Sequence, residues 1–287
     1  MTGEAHRALR ARLRAAGIED DAFEADALLR IVTGRGHLEQ DPETPLTAAQ
    51  SARLEALCAR RCTHYPLQYL AGKWPFYGLE LAVGEGVLIP RADTECVVEQ
   101  ALALLAPLRA PRVLDLCAGS GAIGLAIASQ RPDAQVTLVE RSPAALAYCR
   151  ANAAPFAGVR VAAADIFGFE AALAPDALDC ITANPPYVTE DEYAALAPEL
   201  AFEPREALVA AEDGLAFYAY IAAHYLPALR PGGALVFEIG AAQRQAVTAL
   251  LARAGYARIG ARRDLGENDR CVFAKKPEKP AKTPLCP

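Results

Sequence analysis

One short run limits what this chain can fold into more than any other: Val113-Leu114-Asp115-Leu116-Cys117-Ala118-Gly119-Ser120-Gly121-Ala122-Ile123-Gly124. Its first four residues are nearly all apolar and bounded by turn signals, the pattern of a strand buried on both faces. Gly119, Gly121 and Gly124 follow in G-x-G-x-x-G spacing where an apolar helix begins. That spacing serves a tight turn, a close backbone approach to a ligand, and close packing of the helix on its strand. The pattern repeats downstream. Strands are predicted over 113–116, 135–140, 159–165, 178–184 and 234–240, with helical patterns between them and a helix over 94–106 ahead of them. A last pair near 256–263 and 270–274 is expected to lie antiparallel at one edge. The fold class is therefore α/β: a largely parallel sheet covered by helices on both faces.

The first 73 residues read as helices only. Leu9, Leu13 and Ala16 share a face, and Asp20 or Asp21 caps a helix carrying Phe23, Ala27, Leu28 and Ile31 that stops at Gly34. Thr47 with Gln50 forms a capping-box pattern ahead of Leu54, Leu57 and Cys58. This predicts a small helical domain over 1–73, used to recognise a partner. Residues 74–91 mix Phe76, Leu79, Leu81, Val83, Val87 and Ile89 with Gly78, Gly84 and Gly86, and read as a β-hairpin linker. The α/β domain takes 92–275, and the lysine- and proline-rich 276–287 reads as a disordered tail.

Composition narrows the function classes. At 287 residues and 53% hydrophobic, the chain has material for two domains with a sizeable core. No run reaches the ~18 uninterrupted apolar residues of a membrane span, so no membrane partner is expected. The arginine-rich start resembles a transit peptide, yet Glu4 and the acidic Glu19-Asp20-Asp21 suit a first domain helix better. Eight cysteines without paired spacing, and no secretory segment, point to reduced thiols and a cytoplasmic protein. Cys58, Cys62 and His64 lie close together, but no second ligand pair follows and no metal site is expected. A net charge of -6, with the acidic excess in the α/β part, argues against gripping nucleic acid through its phosphates. The chain is expected to act as a monomer.

The glycine turn fits any adenosine cofactor. Glu140, ending the next strand, is placed to accept hydrogen bonds from ribose hydroxyls. Asp115 lies in the strand just before the glycines, where its charge suits the cationic methionine end of S-adenosylmethionine and repels a diphosphate. Asp165 closes the third strand, where it can accept from an adenine amino group. Asn184-Pro185-Pro186-Tyr187 follows the fourth strand, at the end of the sheet where open α/β folds place ligands. The prolines force extended backbone, so the Asn184 side-chain oxygen and the Pro185 carbonyl converge as two acceptors for a planar nitrogen with two N–H bonds. Tyr187 is expected to stack on the flat group that carries it. An amide nitrogen needs this help, because its lone pair is delocalised into the carbonyl. No general base is assigned.

Motifs in the same order run through most of the chain. They are Pro66-Leu67-Gln68-Tyr69 with Gly72, Leu88-Ile89-Pro90-Arg91 with Asp93-Thr94-Glu95, the glycine turn, and Asn184-Pro185-Pro186-Tyr187. Glu203-Pro204 with Ala207-Leu208, Asp213-Gly214, and Pro231-Gly232-Gly233 with Glu238 complete the set. Together they resemble the bacterial glutamine-N5 methyltransferases that act on peptide chain release factors. The resemblance implies a seven-stranded class I, Rossmann-like methyltransferase domain behind a helical N-terminal domain. It implies S-adenosyl-L-methionine contacts at Cys117, Ala118, Gly119, Ser120, Gly121, Glu140, Asp165, Ile166 and Asn184. It also implies that Asn184, Pro185, Pro186 and Tyr187 grip the glutamine of a Gly-Gly-Gln loop in release factors 1 and 2, modulating translation termination. Phe76 or Tyr77 is a candidate wall for the glutamine, with core packing as the default reading, and Phe76 is taken as the substrate-binding candidate. Two departures stand out: the acid is Glu140 where aspartate is frequent, and Ile166 stands where some members carry an aromatic. Arg91 and Glu95 either orient a ligand or form a helix-start ion pair, and Glu203-Pro204 either shapes the pocket or is a solvated loop. The rival readings are a ribosomal-protein glutamine methyltransferase, a nucleic-acid adenine or cytosine amino methyltransferase, and an NAD-dependent dehydrogenase. The dehydrogenase has no use for Asn184-Pro185-Pro186-Tyr187.

Overall fold

A computed structural model describes residues 1–278; the expected disordered tail over 276–287 falls outside the described residues from 279 on. Contacts divide the chain into two units. The first is helical: α1 Thr2–Ala15, α2 Asp21–Thr33, α3 Ala48–Arg61 and α4 Leu67–Ala71. The side chain of Asp20 accepts from the Phe23 N–H to cap α2, Gly34 ends it at φ 78°, and Thr47 with Gln50 closes a capping box on α3. Leu9, Leu13, Leu28, Leu29, Leu54, Cys58 and Leu67 form the core of this unit. Phe23, expected on the apolar face, is 53% exposed. The face of α2 is set by Ala25, Leu28 and Leu29, and at ~100° per residue Phe23 points roughly the opposite way.

Residues 83–85 and 196–203 group with the helices. Glu199 is held by the Arg61 guanidinium at 3.1 Å and stands 3.0 Å from His64 Nδ1, while Arg61 also pairs with Glu24 at 2.8 Å. Phe202 meets Tyr65 edge-on at 5.3 Å.

The second unit holds the sheet. A short hairpin, β1 Lys73–Phe76 and β2 Leu79–Ala82, leads to α5 Glu95–Leu105, β3 Arg112–Leu116, α6 Ala122–Gln130, β4 Gln135–Glu140, α7 Pro143–Ala153 and β5 Val159–Ala163. There follow the turn α8 Ile166–Phe169, β6 Leu178–Ala183, α9 Glu190–Ala194, the turn α10 Ala211–Gly214, α11 Ala216–His224, β7 Leu229–Glu238, α12 Arg244–Arg253, β8 Ala257–Arg263 and β9 Asp269–Lys275. The seven-stranded sheet runs β5-β4-β3-β6-β7-β9-β8, parallel up to β7 and antiparallel through β9. This is the expected α/β class, including the antiparallel edge.

Strand alternation sends Val113, Val136 and Leu138 to one face, under α5, α6 and α7. Leu114, Leu116, Val139 and Phe237 go to the other face, under α11 and α12. Strand order reverses between β3 and β6, because β4 and β5 lie to one side of β3 and the chain then crosses to the other. A crevice opens at such a switch point, outside the strands' C-terminal ends.

Candidate active site

The turn after β3 is built from left-handed backbone: Cys117, Gly119 and Gly121 have φ of 55°, 56° and 87°. A Cβ on Gly119 would meet nothing within 4 Å, so this glycine faces open space. At Gly124 a Cβ would lie 2.2 Å from Leu138 Cδ2, so a larger residue would have to displace that side chain and glycine suits the close approach of α6 to β4. The Gly124 N–H donates to Asp115 Oδ2 at 3.0 Å, and the Thr182 hydroxyl donates to Oδ1 at 2.7 Å. Burial pushes the Asp115 carboxyl up to about 7 against the pull of those two hydrogen bonds.

Glu140 fastens the same turn from the neighbouring strand. It accepts from Gly119 N–H at 2.8 Å through Oε2, and from Arg141 and Ser142 N–H at 2.8 and 2.7 Å through Oε1. A carboxylate has about four acceptor sites, so roughly one remains for a ligand hydroxyl in this arrangement. Asp165 caps the turn at Phe167 N–H and pairs with Arg141 at 3.1 Å.

These residues surround a cleft of about 990 Å³, counting its open mouth. Its wall contains Asp115, Cys117, Ala118, Gly119, Ser120, Glu140, Asp165, Ile166, Asn184 and Pro186. The two predicted motifs therefore share one cavity. Gly121, Pro185, Tyr187 and Phe76 do not line it. Gly121 sits behind the turn, where a Cβ would press on Leu125 and Leu138. Pro185 is buried. Phe76 is a correction: it is 2% exposed and packs with Leu81, Val97 and Leu105 in the core rather than walling a pocket. An inward ring on a hairpin strand has the same sequence pattern in either place.

Tyr187 is half-buried and turned inward, its hydroxyl 3.4 Å from Glu238 Oε1. Its backbone is pinned at both ends, by N–H to Leu208 O at 3.1 Å and by Gln243 Nε2 donating to its carbonyl at 3.0 Å. Gln243 is itself oriented by the Gly240 N–H at 3.0 Å. Gly214 leaves room for this carbonyl, since a Cβ there would lie 2.2 Å from Tyr187 O. Glu238 is sealed beneath, with Oε2 lacking a hydrogen-bond partner among the described residues and the carboxyl pushed up by burial to about 7.

Several wall residues were not anticipated. Gly86 to Pro90 and Thr94 line the cleft, although 74–91 was read as hairpin alone. The observed hairpin ends at Ala82; Gly86, at φ 93° with a would-be Cβ 2.6 Å from Ala144 Cβ, carries the chain on beside α7. That close approach is the signal the glycine spacing held. Arg91 is on the wall, while Glu95 accepts from the Tyr77 N–H at 3.0 Å. Pro204 lines the cleft, and Glu203 is buried rather than solvated. Phe217, Val139, Arg141, Ala145 and Glu206 are among the other unforeseen wall residues.

The wall suits a cationic adenosine ligand. Asp115, Glu140, Asp165 and Glu206 outnumber Arg91 and Arg141 in its lining, Gly119 leaves open space over the turn, and most of the remaining lining is apolar. Among the described residues no group of three or more His, Cys, Asp or Glu is arranged to hold a metal ion, and no helix is long and apolar enough to cross a membrane.

The chain is similar to known proteins. Residues 4–72 match the family described as the PrmC N-terminal domain, and residues 98–214 match the methyltransferase small domain. The chain is 43% identical over 256 residues to a release factor glutamine methyltransferase of Salmonella typhimurium strain LT2, covering 88% of this chain and 91% of that one. It is 40% identical over 261 residues to the protein of the same name from Escherichia coli strain K12, covering 90% and 93%. A methyltransferase structure from Pyrococcus furiosus superposes with a TM-score of 0.51 at 15% identity, over 80% of this chain and 100% of that one, which speaks for the fold alone.

Proposed function

The chain belongs to the release factor glutamine methyltransferases, and from that premise we propose that it methylates the side-chain amide nitrogen of the glutamine in a release factor's Gly-Gly-Gln loop. The methyl donor is S-adenosylmethionine, which when bound supplies a methyl group activated by its sulfonium centre. One observation carries the reading: Asn184 is half-buried on the same wall as Asp115, Gly119 and Glu140. The residues proposed to hold the donor are Asp115, the 117–121 turn, Glu140, Asp165, Ile166 and Asn184.

The rest is the work of the chain's own groups. The Asn184 side-chain oxygen and the Pro185 carbonyl accept the two amide N–H bonds, turning the nitrogen lone pair toward the donor. Acceptors that pull on those bonds favour the pyramidal nitrogen of the transition state over the planar ground state. Tyr187, fixed at its N–H and its carbonyl, holds the backbone of this grip in place. Prealignment supplies the remaining advantage, because displacement at the methyl carbon needs nitrogen, carbon and sulfur in line. No base is needed beforehand, since the nitrogen becomes acidic only after it is alkylated.

Release factors 1 and 2 are the proposed partners, met in the cytoplasm by a monomer, with the helical unit recognising them. The test is transfer of label from S-adenosylmethionine to recombinant release factor, with a Gln→Ala variant of the Gly-Gly-Gln loop, ribosomal protein and duplex DNA as parallel acceptors. Label on the wild-type factor alone supports the reading. Label on ribosomal protein or DNA instead keeps the cofactor and overturns the substrate.

A further inference from the structure

Among the described residues lining the cleft, Phe217 alone is aromatic. It stands in the first turn of α11, on the wall that also holds Val139, Ala164, Asp165 and Ile166. From outside the cleft it is backed by Phe167, whose ring centre is 5.3 Å away. Phe167 is 44% exposed, so its contacts do little for the core.

Its position is nonetheless firmly set. Phe167 lies edge-on to Tyr220 at 4.6 Å, and Tyr220 stacks on His224 at 4.2 Å. The Tyr220 hydroxyl donates to Glu170 Oε1 at 2.7 Å and accepts from the Gly168 N–H at 2.9 Å. Gly168, at φ 106°, makes the turn that brings Phe167 back over α11. A hydrogen-bonded support thus holds an exposed ring against the one aromatic ring of the cleft.

We propose that Phe217 is the wall that meets the face of the adenine ring, with Phe167 and Tyr220 holding it in place. The inference rests on the S-adenosylmethionine reading of the cleft. A flat heteroaromatic gains more from an offset or edge-on ring than from aliphatic contact of equal area. Asp165 lines the same cleft and accepts from the N–H of Phe167, the ring that backs Phe217, so it is suited to the polar edge of the base while Phe217 meets its face. Phe217 is a binding residue in this account; Phe167 and Tyr220 are positioning residues.

Calorimetric titration of the full chain with S-adenosylhomocysteine and with 5′-methylthioadenosine, which lacks the amino-acid end, tests this without turnover. Phe217→Leu should weaken both ligands by about 5- to 10-fold, a loss of ring contact with most of the apolar bulk kept. Phe217→Tyr should bind within about 2-fold of wild type. Phe167→Ala should lose less than Phe217→Leu, in the same direction. The wild-type preference for adenine over a hypoxanthine analogue should survive in Phe217→Leu, because the edge is read elsewhere. Thermal melts of each variant establish that it is folded. Unchanged affinity in a folded Phe217→Leu, or collapse of the adenine preference, overturns the assignment. If wild type itself binds neither ligand, the reading of the cleft fails along with it.

Discussion

Asp115 and Glu238 are sealed from solvent, and burial holds each carboxyl at about 7, well above the ordinary carboxylate range. The unfolded chain releases these protons near the ordinary carboxylate values of ~4, the folded chain only near 7. The folded state therefore binds more protons between those limits. The stability these groups contribute is present at low pH and lost as pH rises through 7. Replacing Glu238 by Gln should flatten the decline between pH 5 and pH 8 by on the order of 3 kcal/mol in urea unfolding. An unchanged slope would show that Glu238 is already ionised in the fold. Gly214 gives a second prediction. It sits at φ 78° with no room for a Cβ beside the Tyr187 carbonyl, so Gly214→Ala should cost about 2–4 kcal/mol and slow transfer. Wild-type unfolding free energy in that variant would mean the backbone gives way easily. Asp115, Glu140 and Asn184 were legible in the sequence because each lies in the last residues of a strand or just after it, and the C-terminal ends of the strands point at the crevice. Gln243 and Phe217 were not, since each reaches the site from a helix region whose register no motif announces.

At the scale of elements, every predicted strand from 113 to 274 is present, because buried parallel strands are written as apolar runs between turn residues. β7 begins earlier than expected, at Leu229, through Pro231-Gly232-Gly233, a stretch whose composition speaks for a turn. The segment 83–91 has hairpin chemistry and a different use: its apolar residues alternate with glycines, and its 86–91 part lines the cleft. Local pattern shows that a chain is extended, not what it pairs with. The helical caps read correctly because their hydrogen bonds span only a few residues, as at Thr47 and Gln50. Thr47→Ala should destabilise α3 by about 1 kcal/mol in chemical denaturation of the full chain, with no change in cofactor affinity. An effect on affinity instead would tie that helix to the cleft.

For the whole molecule, the division of labour is the point at issue. The described cleft wall comes entirely from the sheet-bearing unit, while the helical unit has its own core and its own buried ion pair, Arg61 with Glu24. Saturation with S-adenosylhomocysteine should therefore slow amide exchange around 115–124, 139–142 and 164–166 and leave α1 to α3 unchanged. Protection spread evenly over both units would contradict that separation. The central claim is that a single cleft joins a donor site to an amide grip at Asn184. Single-turnover methyl transfer to release factor by Asn184→Ala, measured beside its affinity for S-adenosylmethionine, tests this most directly. The account predicts transfer slowed by about 100-fold or more while affinity changes by less than about 10-fold. Transfer at the wild-type rate would show that Asn184 does not grip the amide, and the account would fall.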